Sequence, residues 1–239
     1  ISGFDRIEDI RAFREGYFTI QDSSAAIIGE QPDKGLLLDY SKRRSNKGDA
    51  DLRALKVLDL CAAPGGKCIS LADRLQNEGF TVQVTACDIS ERKLSLIKEN
   101  AERCRMKDID CRINDGTVFN IEFEGGYDIV IADVPCSGLG VIGRKPDIKL
   151  NVTPQRLKEL VPLQRSILKN AVKYLKKDGF LIFSTCTVGK SENHENVCFL
   201  ETEGMTLLNS MQIYPQEIGQ DGAFYACMRK QEQIPVQIF

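Results

Sequence analysis

The chain has 239 residues, of which 42% are apolar and 28% charged, and this balance excludes disordered and fibrous proteins. Its formal net charge of −2 excludes a protein that coats nucleic acid through bulk positive charge. The apolar runs extend over only a few residues, which is too short for a membrane-spanning helix.

The first 40 residues are predicted to be largely helical. Ile7, Ile10 and Phe13 recur at helical spacing, and the polar residues around Asp22 are typical of an N-cap before an apolar helical segment. The next segment, residues 41–54, is rich in Lys and Arg and is predicted to be a basic polar loop.

From Val57 onward, short apolar runs alternate with helical stretches, a pattern that predicts βαβ units in a mostly parallel sheet with helices on both faces. We therefore expect an α/β core of residues 55–239, on which residues 1–54 pack as a helical extension with a basic loop. The predicted strands are 57–60, 82–87, 129–132 and 180–184, and the predicted helices are 66–75, 91–104, 154–175 and 191–201.

Two strand-like runs near the end of the chain, 206–213 and 223–228, have no helix between them. An antiparallel hairpin at the edge of the sheet is the simplest arrangement that connects them. The fold is thus expected to be Rossmann-like, with an antiparallel edge.

Cysteine and histidine usage limits the chemistry. The nine cysteines are an odd number without paired spacing, which favours a reducing, cytoplasmic location without disulfides. The chain has a single histidine, His194, and no C-x-x-C pair, so the ligands typical of a Cys/His zinc site are lacking. One histidine also argues against a Ser-His-Asp triad. We therefore expect no metal.

A loop of small residues follows the first predicted strand and predicts a ligand site, because ligands of open α/β sheets lie beyond the carboxyl ends of the strands. Asp88, Asp115 and Asp133 follow the next three strands, and Asp88 is spaced to accept hydrogen bonds from ribose hydroxyls. The loop comprises Cys61, Ala62, Ala63, Pro64, Gly65, Gly66 and Lys67.

The ligand is not predicted to carry phosphates. Cys61 and Cys68 stand where a Walker loop requires Gly and Ser/Thr, the dinucleotide glycine fingerprint is absent, and acidic strand ends would repel a pyrophosphate. S-adenosylmethionine fits better, since it carries adenine, ribose and a sulfonium cation.

Two cysteines lie at strand ends. Cys136 follows the fourth predicted strand and Cys186 the fifth, so in a parallel sheet both thiols face the cofactor rim. A thiolate that adds to C6 of cytosine gives an enamine whose C5 can attack a sulfonium methyl group. Asp133 could bind the N3 or amino edge of the ring.

Four motifs resemble the signatures of the Nop/Sun family of RNA (cytosine-5) methyltransferases, and within it the bacterial 16S ribosomal RNA methyltransferase B (RsmB) group. They are Asp59-Leu-Cys-Ala-Ala-Pro-Gly-Gly-Lys67, Asp133-Val-Pro-Cys-Ser-Gly-Leu-Gly140, Arg144-Lys-Pro-Asp-Ile-Lys149 and Ser184-Thr-Cys-Thr187. The resemblance implies a class I S-adenosylmethionine-dependent methyltransferase domain over residues 55–239.

The resemblance also implies roles for individual residues. Cys186 would be the nucleophile on C6, and Cys136 would assist release of the product, whereas DNA cytosine-5 methyltransferases attack with the cysteine after the fourth strand. The loop from Cys61 to Lys67 would hold the methionine moiety. The three strand-end carboxylates would hold the ribose (Asp88), lie by the adenine (Asp115) and sit between cofactor and base (Asp133).

The expected partner is RNA, and ribosomal RNA in particular. The protein is expected to be a monomer. Arg144, Lys145 and Lys149 follow the Cys136 loop and are expected to bind phosphates near a flipped-out base, with a solvated charged rim as the alternative reading. The chain starts at Ile1, and since RsmB-group members tend to carry an N-terminal RNA-binding domain, we expect such a domain to precede it.

Three other functions stay open at this point. The chain could be a non-catalytic RNA-binding module that retains the fold, or a methyltransferase of the same family that acts on tRNA. A nicotinamide-dependent oxidoreductase is the third, although the glycine fingerprint it requires is missing.

Overall fold

A computed structural model describes residues 6–45, 52–215 and 221–231, and its centre is a seven-stranded sheet. The strand order is β3-β2-β1-β4-β5-β7-β6; all neighbours are parallel except β7, which is antiparallel to both β5 and β6. This confirms the predicted α/β class and the antiparallel edge. The strands are β1 (Ala54–Asp59), β2 (Thr81–Asp88), β3 (Ile109–Ile113), β4 (Tyr127–Asp133), β5 (Leu175–Thr185), β6 (Met205–Ile213) and β7 (Ala223–Lys230).

Helices cover both faces of the sheet, which gives two apolar cores. One core includes residues of α2, α3, α4 and α5, and the other includes residues of α7 and α8. Because β4 is covered on both faces, its residues 127–132 are all buried, as expected for a central parallel strand. The helices are α1 (Arg11–Arg14), α2 (Ser23–Gly29), α3 (Lys34–Ser45), α4 (Gly66–Asn77), α5 (Glu91–Arg103), α6 (Ile148–Asn151), α7 (Pro154–Tyr174) and α8 (His194–Thr202), with 3-10 turns at Ile7–Asp9, Ile121–Phe123 and Leu139–Val141.

The N-terminal helices are bound to the core by buried contacts. Leu37 is fully buried, and the hydroxyl of Tyr40 donates to the buried carboxylate of Asp128 at 2.7 Å. Arg74 of α4 donates to the carbonyl oxygens of Gly29 and Pro32. The segment before β1 therefore shares its core with the sheet.

The predicted loop over residues 41–54 is wrong in part. Residues 41–45 continue α3, and Ala54 already belongs to β1, while residues 46–51 lie outside the described part of the chain. Arg43 pairs with Asp39 one turn earlier at 2.9 Å, and basic residues in the last turn favour a helix C-terminus. The Lys and Arg residues at positions 42–44, which predict a loop, therefore form the last turn of a helix.

The topology fixes where a ligand can bind. From β1 the chain proceeds to β2 and β3 on one side of the sheet, then returns to β4 and β5 on the other, so the strand order reverses between β1 and β4. The carboxyl ends of these strands open at this reversal, which is where open α/β sheets bind ligands. Within the three described segments, no helix has the length and apolar character needed to cross a membrane.

Candidate active site

Cys136 and Cys186 lie in contact at the centre of this rim. Their loops leave adjacent strands at paired positions, since Asp133 of β4 is the register partner of Ser184 of β5. The two Sγ atoms are 3.2 Å apart, and the backbone N–H of Cys186 donates to Sγ of Cys136 at 3.3 Å. The structure therefore brings the two predicted cysteines to one point.

The two thiols differ in their ionisation. The hydrogen bond from Cys136 lowers the pKa of Cys186, and the charge of Lys67 acts in the same direction, against the raising effects of burial and Asp133. The same hydrogen bond, together with burial, raises the pKa of Cys136 well above its ordinary value. Cys186, which is also the exposed member of the pair, is therefore the thiol that ionises more readily.

Asp133 connects the cysteine loops to the loop after β1. Its Oδ2 accepts a hydrogen bond from Nζ of Lys67 at 2.7 Å, and its Oδ1 accepts one from the hydroxyl of Ser184 at 2.7 Å. Burial lowers the pKa of Lys67, but the neighbouring Asp133 outweighs it and the pKa is raised, so Lys67 stays charged. A fixed ion pair thus stands beside the Cys186 thiol.

A second carboxylate, Asp59, lies beneath this ion pair at the end of β1. It is fully buried, and burial together with the charge of Asp133 raises its pKa to about 7. Its Oδ1 accepts a hydrogen bond from the backbone N–H of Cys61 at 3.3 Å. Burial and the charge of Asp59 also raise the pKa of Cys61, which keeps that thiol neutral.

The loop from Cys61 to Lys67 turns tightly from β1 into α4. Gly65 adopts φ +102° as the N-cap of α4, a conformation that favours glycine. The backbone N–H of Ala62 donates to the carbonyl oxygen of Cys87, and that of Ala63 donates to Asp88 Oδ2 at 3.2 Å. The loop is therefore fixed against the end of β2, with backbone open to close approach by a ligand.

The carboxylates at the ends of β2 and β3 are also held in place. Asp88 is buried, accepts from the backbone N–H of Ile89 at 2.8 Å and pairs with Lys93 at 3.0 Å. Asp115 Oδ1 accepts from both the backbone N–H and the hydroxyl of Thr117. Beside it, the buried Nδ2 atom of Asn114 has no hydrogen-bond partner among the described residues, which leaves a donor for a ligand.

The three predicted RNA-binding residues do not share one environment. Arg144 forms ion pairs with Asp22 and, at 3.1 Å, with Asp221, so its charge is compensated within the chain. Lys145 and Lys149 are exposed. The structure thus leaves the two lysines, more than Arg144, available to a polyanion.

Sequence reasoning missed two parts of the site. The contact between Ser184 and Asp133 depends on strand register, which a strand-end motif does not specify. A buried polar group behind the cysteines was missed as well; its members are Ser137, Gln164, Thr187 and Glu192. Polar residues in an amphipathic helix or a turn are usually exposed, so only the three-dimensional structure reveals this burial.

Comparisons with known proteins agree with this geometry. Residues 50–229 match the model of a family described as 16S rRNA methyltransferase RsmB/F. The chain is 33% identical to the probable ribosomal RNA small subunit methyltransferase B of Bacillus subtilis, over 91% of this chain and 49% of that protein. It is 30% identical to the ribosomal RNA small subunit methyltransferase F of Escherichia coli O6:H1, over 92% of this chain and 46% of that protein. The chain thus spans about half the length of these relatives.

A solved structure supports the fold. The crystal structure of NSun6 from Pyrococcus horikoshii with SFG superposes with a TM-score of 0.75 at 24% identity, covering 96% of this chain and 57% of that one. The likeness confirms the Rossmann-like class I methyltransferase fold expected from the sequence.

Proposed function

This chain belongs to the 16S rRNA methyltransferase RsmB/F family, and from that premise we propose that it transfers a methyl group from S-adenosylmethionine to C5 of a cytosine in RNA, with small-subunit ribosomal RNA as its substrate. The observation that carries the proposal is the thiol pair, in which Cys186, the thiol with the lowered pKa, contacts Cys136 beside the ion pair of Lys67 and Asp133. A covalent route to C5 requires such a nucleophile.

The residues at the strand ends fit S-adenosylmethionine. Asp88 presents a buried, fixed carboxylate suited to ribose hydroxyls, and the free Nδ2 donor of Asn114 next to Asp115 suits an adenine nitrogen. The small residues from Cys61 to Gly66, followed by Lys67, allow the methionine moiety to approach the backbone. When bound, S-adenosylmethionine supplies a methyl group activated by its sulfonium charge.

The chain's own residues prepare the cytosine ring. The Cys186 thiolate forms a bond to C6, and the electron pair of the C5–C6 double bond shifts so that C5 becomes nucleophilic. Asp133, held by Ser184 and Lys67, retains lone pairs that can accept a hydrogen bond from the amino edge of the ring. The ion pair thus orients the ring and balances the charge that grows on it.

Product release reverses the addition. After C5 is methylated, solvent water takes the proton from C5, the electron pair of the C5–H bond re-forms the C5–C6 double bond, and Cys186 departs as a thiolate. Cys136, which stays protonated, donates its hydrogen bond to the departing sulfur and lowers the energy of this leaving group. This is the role we assign to the second cysteine.

Binding of RNA would involve Lys145, Lys149 and, in exchange for its internal partners, Arg144. The same proposal includes the division of the chain into an extension of residues 1–54 and a catalytic domain of residues 55–239. It also includes a monomeric state, a cytoplasmic location and an N-terminal RNA-binding domain. The curated relatives are about twice as long as the part that this chain matches.

The test measures methyl transfer from labelled S-adenosylmethionine to 16S ribosomal RNA and, in parallel, to tRNA, with digestion to nucleosides. We expect 5-methylcytosine in the ribosomal RNA, and its loss in Cys186→Ala with binding of S-adenosylmethionine retained. Cys198→Ala, which removes an exposed cysteine on α8, is the matched control and should retain activity. Near-normal turnover by Cys186→Ala would contradict the mechanism, and methylation of tRNA alone would contradict the substrate.

A further inference from the structure

Glu192 is a buried carboxylate behind the two cysteines that the reaction does not use directly. Its side chain is fully buried, and its Oε1 accepts hydrogen bonds from the backbone N–H of Ser137 at 2.8 Å and from Nε2 of Gln164 at 2.9 Å. Its Oε2 accepts a third, from the hydroxyl of Ser137 at 2.6 Å. In the described part of the chain, no Lys or Arg forms an ion pair with it, so these hydrogen bonds offset the cost of burying this polar group.

These hydrogen bonds hold the chain on both sides of Cys136. Ser137, the next residue, is bound through its backbone N–H and its hydroxyl. Pro135, the preceding residue, is bound through its carbonyl oxygen, which accepts from the same Nε2 atom of Gln164 at 2.9 Å. Neither peptide group next to Cys136 can shift without breaking a hydrogen bond to Glu192 or Gln164.

The same group is connected to the Cys186 loop. The hydroxyl of Ser137 lies 2.7 Å from that of Thr187, which directly follows Cys186. Thr187 is fully buried, and its carbonyl oxygen accepts from Nδ2 of Asn193 at 3.1 Å. We call Ser137, Gln164, Thr187 and Glu192 the Glu192 clamp, because together they fix the loops that carry both cysteines.

We propose that Glu192 is a positioning residue that, through Ser137 and Gln164, keeps the Cys136 thiol in hydrogen-bonding contact with Cys186. The consequence for methylation rests on the proposed function, but the positioning itself does not. If the clamp is broken, the Cys136 loop gains freedom and the contact between the two sulfur atoms is lost. Cys186 then loses the hydrogen bond that favours its thiolate, and the leaving thiolate loses its donor.

The first experiment needs no RNA. The protein is alkylated with iodoacetamide at a series of pH values, and the peptide that contains Cys186 is quantified by mass spectrometry. Since only the thiolate reacts, the rate reports its population. In Glu192→Ala we expect the midpoint to move upward and the rate at pH 7 to fall about ten-fold, as a rise of about one pKa unit produces.

Glu192→Gln is the conservative variant and should restore the wild-type profile. Its Oε1 can still accept from Ser137 N–H and Gln164, while its Nε2 can donate to the hydroxyl of Ser137, which then donates to Thr187. Tyr40→Phe is the matched control, because it removes a comparably buried hydrogen bond, to Asp128, at the opposite end of the sheet. It should leave the profile of Cys186 unchanged.

Ser137→Ala covers the possibility that Glu192→Ala does not fold, since it removes two hydroxyl hydrogen bonds and leaves little empty space. We expect a shift of the midpoint in the same direction. An unchanged midpoint in a folded Glu192→Ala or in Ser137→Ala would overturn the proposal, as would an equal shift in Tyr40→Phe or a failure of Glu192→Gln to restore the profile.

A second experiment tests the consequence for the reaction. With 16S ribosomal RNA and S-adenosylmethionine, Glu192→Ala should accumulate a covalent protein–RNA complex on a denaturing gel, as expected when release slows more than addition. If the wild-type protein methylates no RNA while the alkylation profile still shifts, the proposed function fails and the positioning role of Glu192 stands.

Discussion

At the scale of single residues, two chemically identical side chains are given different roles by their surroundings. Cys186 receives a hydrogen bond and lies near Lys67, whereas Cys136 provides that hydrogen bond and is more deeply buried. The hydrogen bond thus favours opposite protonation states in the two thiols, and one pair can hold both a nucleophile and a donor.

Replacement of Cys136 should separate addition from release. In Cys136→Ala, the Cys186 thiolate can still add to C6, but its departure lacks a hydrogen-bond donor. We expect turnover to fall by about 10²-fold or more, the usual loss for a missing proton donor, with accumulation of a slowly migrating covalent band. Cys198→Ala should show neither effect, and a Cys136→Ala protein without the band would contradict the assigned role.

Asp59 should make the stability of the protein depend on pH. Its pKa is about 7 in the folded state and 3.8 in its ordinary state, so between these values the unfolded chain has lost a proton that the folded chain keeps. Stability due to this group therefore falls as pH rises. We expect Asp59→Asn to gain stability relative to wild type from pH 4 to pH 8, by at most about 4 kcal/mol. Urea unfolding at each pH measures the difference, which should be constant if Asp59 is ionised in the fold.

The sequence was sufficient to predict that Cys136, Cys186 and Asp133 lie together at one rim of the sheet, because each stands at the end of an apolar strand. It was not sufficient for Glu192 or Gln164. Gln164 lies in an amphipathic helix and Glu192 in a turn. Their burial depends on how α7 and the turn before α8 pack against two loops distant in the sequence. Long-range packing of this kind has no local signature.

At the scale of secondary-structure elements, the ends of β4 and β5 act as one unit. Between their loops, the backbone N–H of Gly140 donates to the carbonyl oxygen of Cys186 at 3.0 Å, and the carbonyl oxygen of Gly140 accepts from Gly222 at 2.8 Å. Three backbone segments meet at Gly140, so the position of the Cys186 loop depends on the close approach that this glycine allows.

Gly140→Ala should therefore displace the Cys186 loop. An added Cβ would lie 2.0 Å from the carbonyl oxygen of Gly222 and 2.9 Å from that of Cys186, so the backbone must move. We expect a loss of about 1–3 kcal/mol in stability and a marked fall in kcat. Gly143→Ala, where a Cβ meets nothing within 4 Å, is the control in the same loop and should behave like wild type. Thermal unfolding and methylation rates together check both variants.

The boundaries of elements were predicted less well than their existence. The strands and the helices of the core were identified by their periodicity, and the predicted N-cap around Asp22 is confirmed, since Asp22 caps α2 by accepting from the backbone N–H of Ser24. The predicted helix from residue 191 begins instead at His194, because Glu192 and Asn193 are held by side-chain hydrogen bonds in the preceding turn. Tertiary hydrogen bonds here override local helical preference.

At the scale of the whole molecule, a slightly negative net charge coexists with a local group of exposed positive residues. The net charge is −2, yet Lys145 and Lys149 stand exposed beside the loop that carries Cys136. A negatively charged substrate would be attracted to this part of the surface, close to the sulfur atoms of Cys136 and Cys186.

Removal of these two lysines should weaken RNA binding in a salt-dependent manner. In the double variant Lys145→Ala, Lys149→Ala we expect lower affinity and a smaller slope of log K against log salt, by about 1 for each lysine that contacts a phosphate. The single variant Lys158→Ala, an exposed lysine on α7, is the control for loss of charge alone. A slope unchanged in the double variant would indicate that the lysines belong to a solvated rim.

Since β4 and β5 are hydrogen-bonded neighbours, the loops that follow them deliver sulfur to nearly the same place. An attacking group could therefore be relocated from one strand to the next by exchange of a single amino acid, while the pyrimidine and the methyl donor keep their positions. Which strand supplies the nucleophile is then decided by local hydrogen bonding, within an architecture that accommodates both solutions.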